Sequence, residues 1–182
     1  MSALPQIELD DASDEAAKLL GELKRSIGSI PNMAKAMANS PAVLQGYLAL
    51  SGALATGVLP VAVRERLALA TAEYNRCTYC LSAHTYLGKN VAKLDTDEIE
   101  RARHAQSSDP HVAALLTLSD AIARGQGTVD EVALKTARAA GVTDAEISEV
   151  IGNLALNILT NYFNIVADTD PDLPVVMPHD HA

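Results

Sequence analysis

The stretch CTYCLSAH, residues 77–84, holds the only two cysteines of the chain, three positions apart, with a histidine four further on. Placed on a helix, Cys77, Cys80, His84, Leu87 and Val91 share one stripe, because residues three and four apart lie on the same face. Cys80 and His84 are then one turn apart, within reach of a thiol–imidazole hydrogen bond. Cys77 and Cys80, with a two-residue spacer, have the arrangement of a disulfide-exchange pair. Cys77 and His84 are separated by ~10 Å of helical rise, so the imidazole serves Cys80. With Asn75 as N-cap, both cysteines fall in the first turn, where unpaired N–H groups and the helix dipole favour a thiolate. An adjacent imidazole takes the thiol proton and leaves a nucleophile. His84 points to Cys80 as the attacking sulfur and Cys77 as the resolving one. Helix-start placement instead makes Cys77 the more exposed thiol, so the order of attack stays open.

Two plainer readings compete. Cysteine is among the most buried residue types, and a pair on an apolar stripe can be ordinary core. A closed zinc site needs about four ligands, and Cys77, Cys80 and His84 supply three without a second ligand pair. His104 and His111 read as surface residues. His179 and His181 read as solvated tail residues with no other ligand nearby. No metal is expected.

Proton transfer needs a further group, and the preceding segment offers one. Glu65 in VAVRERLALATA has Val61, Ala62, Ala68, Leu69 and Ala72 as its helical neighbours. A carboxylate on such an apolar stripe is costly without a partner. Either it pairs with an arginine from another helix, or it is a proton acceptor beside the cysteines. Its neighbours Arg64 and Arg66 point elsewhere on the helical wheel. Glu73, four residues before Cys77, is the second candidate, with more mixed surroundings.

The elements that would position these groups all read as helices. Ser13 caps a segment that stops at Gly28, and Ser40 with Pro41 opens another. Pro60 precedes the segment of Glu65, Asn75 that of the cysteines, and Asp109 with Pro110 a later one. Thr128 with Glu131, and Thr143 with Glu146, have capping-box spacing. No alternating run flanked by turn residues suggests a strand. An all-α, single-domain helical bundle of about seven or eight helices is expected over residues 1–167, followed by a Pro/Asp-rich tail at 168–182. With 182 residues there is enough chain for one substantial core. Aromatics make up only 3%, so packing rests on Ala, Leu, Val and Ile. The formal net charge of -9 argues against nucleic-acid binding. No uninterrupted apolar run approaches the ~20 residues of a membrane span, and the acidic start lacks secretory-signal character. A cytoplasmic protein without membrane association is expected.

The last segment carries Asn153, Asn157, Asn161 and Asn164 on one stripe. Ile151, Leu154, Ala155, Ile158, Tyr162 and Ile165 form the apolar side. Solvated faces carry Lys and Glu more than Asn, so the asparagines suggest a subunit interface or a polar pocket wall.

Glu65, Cys77, Cys80 and His84 together match a Glu, eleven residues, Cys-x-x-Cys, three residues, His pattern. RERLALATAEYNRCTYCLSAH thereby resembles the alkyl hydroperoxidase D-like (carboxymuconolactone decarboxylase-like) family, with the motif region at 61–91. IPNMAKAMANSPAVLQGYLAL and NYFNIVAD are similar to its peroxidase-related members, and the likeness covers most of residues 27–168. The resemblance implies an AhpD-like helical fold, a homotrimer or homohexamer, and a reversible dithiol/disulfide with Glu65 and His84 as proton relay. It implies peroxidase or disulfide-reductase activity on a hydroperoxide or disulfide. No bound cofactor is implied, but an external dithiol donor of the dihydrolipoyl type is, with a peroxiredoxin as acceptor. Where the best-understood members place a relay histidine just before the second cysteine, this chain has Tyr79, ordinarily a poor base at neutral pH with a pKa near ~10.

Two other function classes remain compatible with the pattern. One is a cofactor-independent decarboxylase-like acid–base enzyme, which needs a proton donor and an anion-binding group but no cysteine pair. The other is a non-catalytic oligomeric module.

Overall fold

The computed structural model describes residues 2–180, so His181 lies outside the described residues. A 3-10 turn at Leu9–Asp11 leads into α1 (Asp14–Ile27), α2 (Asn32–Met37), α3 (Pro41–Ala55) and α4 (Val61–Tyr74). Then come α5 (Thr78–Asn90), α6 (Thr96–Arg103), α7 (Pro110–Arg124), α8 (Glu131–Ala139) and α9 (Asp144–Ala167). Among the described residues there is no strand, and the protein is all-α as expected. Among the described residues eight α-helices are seven residues or longer, in keeping with the expected seven or eight. A ninth, α2, is only six residues long and buries Met33, Ala34, Ala36 and Met37.

α4 is the axle of the bundle, packed against α5, α6, α7 and α9. Its buried residues Val63, Leu67, Leu69, Thr71 and Ala72 run round the helix, the pattern of an interior helix rather than a one-sided one. Two apolar clusters meet on it. One joins Leu20, Met37, Leu44, Leu69 and Leu81 with both cysteines. The other joins Leu67, Leu115, Leu116, Val150 and Leu154.

Local chemistry accounts for most boundaries. Ser13 Oγ accepts the Ala16 N–H, and Gly28 ends α1 at φ +84°, a conformation that favours glycine. Asp109 caps α7 through the N–H groups of His111 and Val112. Thr143 and Glu146 form the reciprocal capping box. Thr128 does not cap α8; its N–H closes a turn on Gly125 O, and Asp130 caps the helix two residues later through the Ala133 N–H at 2.7 Å. A carboxylate is the stronger N-cap of the two.

The junction between α4 and α5 departs furthest from expectation. Asn75 is the C-cap of α4, not the N-cap of α5. Arg76 adopts the left-handed conformation at φ 58°. Its N–H bonds Glu73 O, and the Cys77 N–H bonds Ala72 O. This is a Schellman ending, in which two carbonyls of the last turn are recaptured. Cys77 thereby closes α4 and opens α5, and its own Sγ accepts the Cys80 N–H at 3.2 Å. The sulfur itself is the cap.

α9 turns its asparagine stripe inward, in keeping with the pocket-wall alternative. Asn153, Asn157, Asn161 and Asn164 are buried, while Ile151, Tyr162, Ile165 and Val166 are exposed. By length and mean hydropathy alone α9 could cross a membrane. Its burial of four asparagines against α3, α4, α5 and α7 makes it instead the long helix of this bundle.

The tail wraps back over the bundle. Asp172 accepts the Asn32 N–H, Val176 N–H donates to Ser82 Oγ, and Met177 O accepts from Arg103 Nη2. The His179 N–H ends the strap on Glu73 Oε1.

Candidate active site

Helices α3, α4, α5 and α9 and the short α2 line a cavity of about 900 Å³, with Tyr47 and Leu54 coming from α3. α4 contributes Glu65, α5 contributes Cys80 and His84, α9 contributes Asn153, Asn157 and Asn164, and α2 contributes Met33. Apolar side chains such as Ile30, Leu54, Leu87 and Leu156 form much of the remaining wall.

Cys77 and Cys80 are joined as a disulfide, with Cα atoms 5.3 Å apart. Both are 1% exposed, so helix-start placement does not make Cys77 the more open sulfur. The cavity is what separates them: Cys80 forms part of its wall and Cys77 does not. Asn164 Nδ2 lies 3.4 Å from Cys80 Sγ.

Glu65 meets a histidine rather than an arginine. Its Oε2 is 2.8 Å from His84 Nδ1. With a carboxylate on Nδ1, a neutral imidazole carries its proton there and leaves Nε2 as the basic nitrogen. No hydrogen bond joins His84 to Cys80 among the described residues, although both line the cavity. The flanking arginines are engaged separately. Arg64 Nη1 donates to Leu59 O and its side chain reaches the cavity wall. Arg66 pairs with Glu98 on α6 at 3.0 Å. Burial would push the Glu98 carboxyl up, but bonds from Ser108, Ser107 and Arg66 bring it down to about 2.

Glu73, the second acid candidate, is 2% exposed and outside the cavity. It accepts from Arg103 Nε and from the His179 N–H, both at 2.7 Å. Burial opposes its charge, yet Arg103 and the tail N–H outweigh it and hold the carboxyl below its ordinary value.

Tyr79 lines the cavity, and its hydroxyl accepts the Met33 N–H at 3.2 Å. Burial drives its pKa well above the ordinary tyrosine value, only partly offset by that N–H. It is therefore a neutral structural group that, with Asp172, satisfies the first N–H groups of α2. Tyr47, also in the wall, is pushed up by burial and further by the charge of Glu65.

Sequence reasoning did not single out Met33, Tyr47 and Arg64. The asparagine stripe was the usable signal for Asn153, Asn157 and Asn164, and they form the polar wall. The fourth, Asn161, turns aside to accept from Asn75 Nδ2 at 2.9 Å.

The histidines outside the cavity are more engaged than expected. His111 Nε2 is 2.8 Å from Glu146 Oε1. His179 is not a freely solvated tail residue: its ring stacks on His104 at 5.0 Å, and its Nε2 is 3.0 Å from Glu100 Oε1. Glu100, His104 and His179 each place a ligand atom within 4.8 Å of the others, so two candidate ligands do accompany His179.

Residues 41–108, which include the whole motif, match the model of the carboxymuconolactone decarboxylase family. Among solved structures, an uncharacterized peroxidase-related protein from Ralstonia eutropha JMP134, with an alkylhydroperoxidase AhpD core, is 23% identical. That likeness covers 94% of this chain and 92% of that one at a TM-score of 0.83. A peroxidase-related protein from Silicibacter sp. TM1040 is 22% identical over 94% and 92% of the two chains, with a TM-score of 0.81. The debrominase Bmp8 is 16% identical over 94% and 91%, with a TM-score of 0.75. At these identities the structural likenesses establish the fold. No curated protein matches the sequence.

Proposed function

We propose, for a chain whose residues 41–108 match the carboxymuconolactone decarboxylase family model and whose fold is AhpD-like, the activity of a thiol-dependent oxidoreductase that cycles Cys77–Cys80 between dithiol and disulfide. One observation carries this reading: a cysteine pair at the start of α5 presents Cys80 to a cavity that also holds the 2.8 Å Glu65–His84 pair.

In the reduced state His84, oriented by Glu65, takes the Cys80 thiol proton. The thiolate attacks the terminal oxygen of a hydroperoxide ROOH. An S–O bond forms, the O–O bond breaks, and RO⁻ leaves with the electron pair and receives the proton as ROH. Cys80 becomes a sulfenic acid. The Cys77 sulfur then attacks Cys80 Sγ, forming the disulfide and releasing water. A dihydrolipoyl-type dithiol reduces the pair by exchange and becomes a disulfide itself. On a disulfide substrate, the same thiolate forms a mixed disulfide that Cys77 resolves.

A cavity of about 900 Å³ with apolar walls far exceeds what hydrogen peroxide requires, which favours a bulky organic hydroperoxide or disulfide. Tyr79, neutral and bonded to α2, takes no part in proton transfer. The exposed apolar ridge of Ile151, Tyr162, Ile165 and Val166 on α9 supports assembly into a homotrimer or homohexamer. A peroxiredoxin is the proposed acceptor in a cytoplasmic setting.

Titration of the reduced protein with cumene hydroperoxide tests this reading. Two thiols per chain should disappear and return with dihydrolipoamide, measured against thioredoxin as the alternative donor, and Cys80→Ser should abolish turnover. Unchanged thiol counts would overturn it. A second reading, a decarboxylase-like acid–base enzyme, draws on Arg64 at the cavity wall beside the Glu65–His84 pair. It requires the double variant Cys77→Ser, Cys80→Ser to stay active on a carboxylic-acid substrate.

A further inference from the structure

α9 brings to the reacting sulfur one polar group that the Glu65–His84 relay does not use. Asn164 is 3% exposed and lines the cavity. Its Nδ2 lies 3.4 Å from Cys80 Sγ and 3.1 Å from Met33 Sδ. A thioether has no proton and can only accept. Met33 therefore fixes the amide with its nitrogen, rather than its oxygen, against the two sulfurs. That oxygen is buried and has no hydrogen-bond partner among the described residues. A buried carbonyl left unpaired is costly, and proteins keep such a group where something else completes it.

We propose that Asn164 is a catalytic residue with two roles: its amide N–H stabilises the Cys80 thiolate, and its unpaired Oδ1 accepts the O–H of the bound hydroperoxide. The inference rests on the reading of Cys80 as nucleophile and adds how substrate is recognised there. A disulfide sulfur is a weak acceptor and a thiolate a strong one, so the same N–H gains strength when the pair is reduced. In ROOH the oxygen that bears the proton is also the one the sulfur attacks. Donation of that O–H to Oδ1 therefore sets the electrophilic atom beside Sγ. After the O–O bond breaks and RO⁻ leaves as ROH with the proton from His84, the product S–O–H keeps the same donor for the same acceptor. A disulfide substrate has no such proton and gains nothing from Oδ1.

The experiment uses the Cys77→Ser protein, in which Cys80 is the single thiol. Its alkylation by iodoacetamide is followed against pH, with and without Asn164→Leu. Loss of one hydrogen bond to a charged sulfur should move the midpoint up by about one pH unit. Asn164→Asp, which sets an anion against the thiolate, should move it further. At a pH where Cys80 is fully ionised, Asn164→Leu should slow reaction with cumene hydroperoxide about tenfold. Reaction with 4,4'-dithiodipyridine should stay within about threefold, since only the O–H contact is lost. An unmoved midpoint in a folded variant overturns the first role, and equal slowing of both reagents overturns the second. If Asn164→Leu does not fold by circular dichroism, Asn164→Ala replaces it with the same expectations. Should the parent protein ignore the hydroperoxide while the midpoint still moves, the peroxidase reading and the role of Oδ1 fail, but the thiolate contact stands.

Discussion

Glu65 and Glu73 lie on the same helix, both turned inward, yet they belong to different kinds of chemistry. Glu65 faces a cavity and holds a histidine, a group that can gain or lose a proton near neutral pH. Glu73 faces packed protein outside the cavity and is held most closely by the Arg103 guanidinium and a tail N–H, both at 2.7 Å, with the His179 ring at 3.4 Å. A buried carboxylate thus becomes a relay or a rivet according to its partner. Burial by itself does not distinguish the two.

Variants should separate these roles. Glu65→Gln keeps the shape but removes the charge that orients His84. Turnover in the proposed thiol reaction should fall about a thousandfold, as for loss of a general base, while the thermal midpoint barely changes. A variant with normal turnover would erase the distinction from this side.

Arg103→Leu should do the reverse. It leaves Glu73 charged and buried without its guanidinium, which costs about 3 kcal/mol in a denaturant titration. Turnover per folded molecule should be kept. Acid should reproduce this loss without mutation. Glu73 sits below its ordinary value, and Glu98 is brought down to about 2. The unfolded chain therefore binds more protons than the folded one below the ordinary carboxylate value of 4.5. Their contribution to stability is complete above that value and is lost as pH falls through the folded pKa values. Urea midpoints between pH 6 and pH 2.5 should fall accordingly, and the fall should be smaller in a Glu98→Gln protein.

The smallest effect belongs to the strap. Truncation after Pro174 removes the His179 N–H from Glu73 and the Met177 carbonyl from Arg103. A loss of about 1.5 kcal/mol is expected from bonds to charged groups. Calorimetry on the truncated protein would sharpen the comparison: a much larger loss would mean that the tail, not Arg103, is the main partner of Glu73.

Much of the bundle was legible from the chain because its signals are local. Ser13, Gly28, Asp109 and the Thr143–Glu146 box act on groups three or four residues away, and each ends or begins a helix where read. The motif was legible for a related reason, since Cys77 and Cys80 meet within one turn. Asn75 misled because a Schellman ending depends on Arg76 adopting a left-handed conformation that arginine does not advertise. α2 was missed because Tyr79 and Asp172, far along the chain, satisfy its first N–H groups. The asparagine stripe of α9 was legible as an interface or a pocket wall, but a polarity pattern does not say which of the two it forms. Here Asn153, Asn157 and Asn164 line a cavity, and Ile151, Ile165 and Tyr162 are left outside.

The amino-acid sequence alone determined that this protein is helical, where most helices begin and end, and which sulfurs pair across one turn. These outcomes follow from contacts a few residues long. Tertiary structure decided that Glu65 meets His84 rather than an arginine, that Glu73 fastens the tail, and that Asn164 touches Cys80. Those pairings join helices distant in sequence, and the chemistry of a buried polar group depends on the neighbour that packing delivers to it.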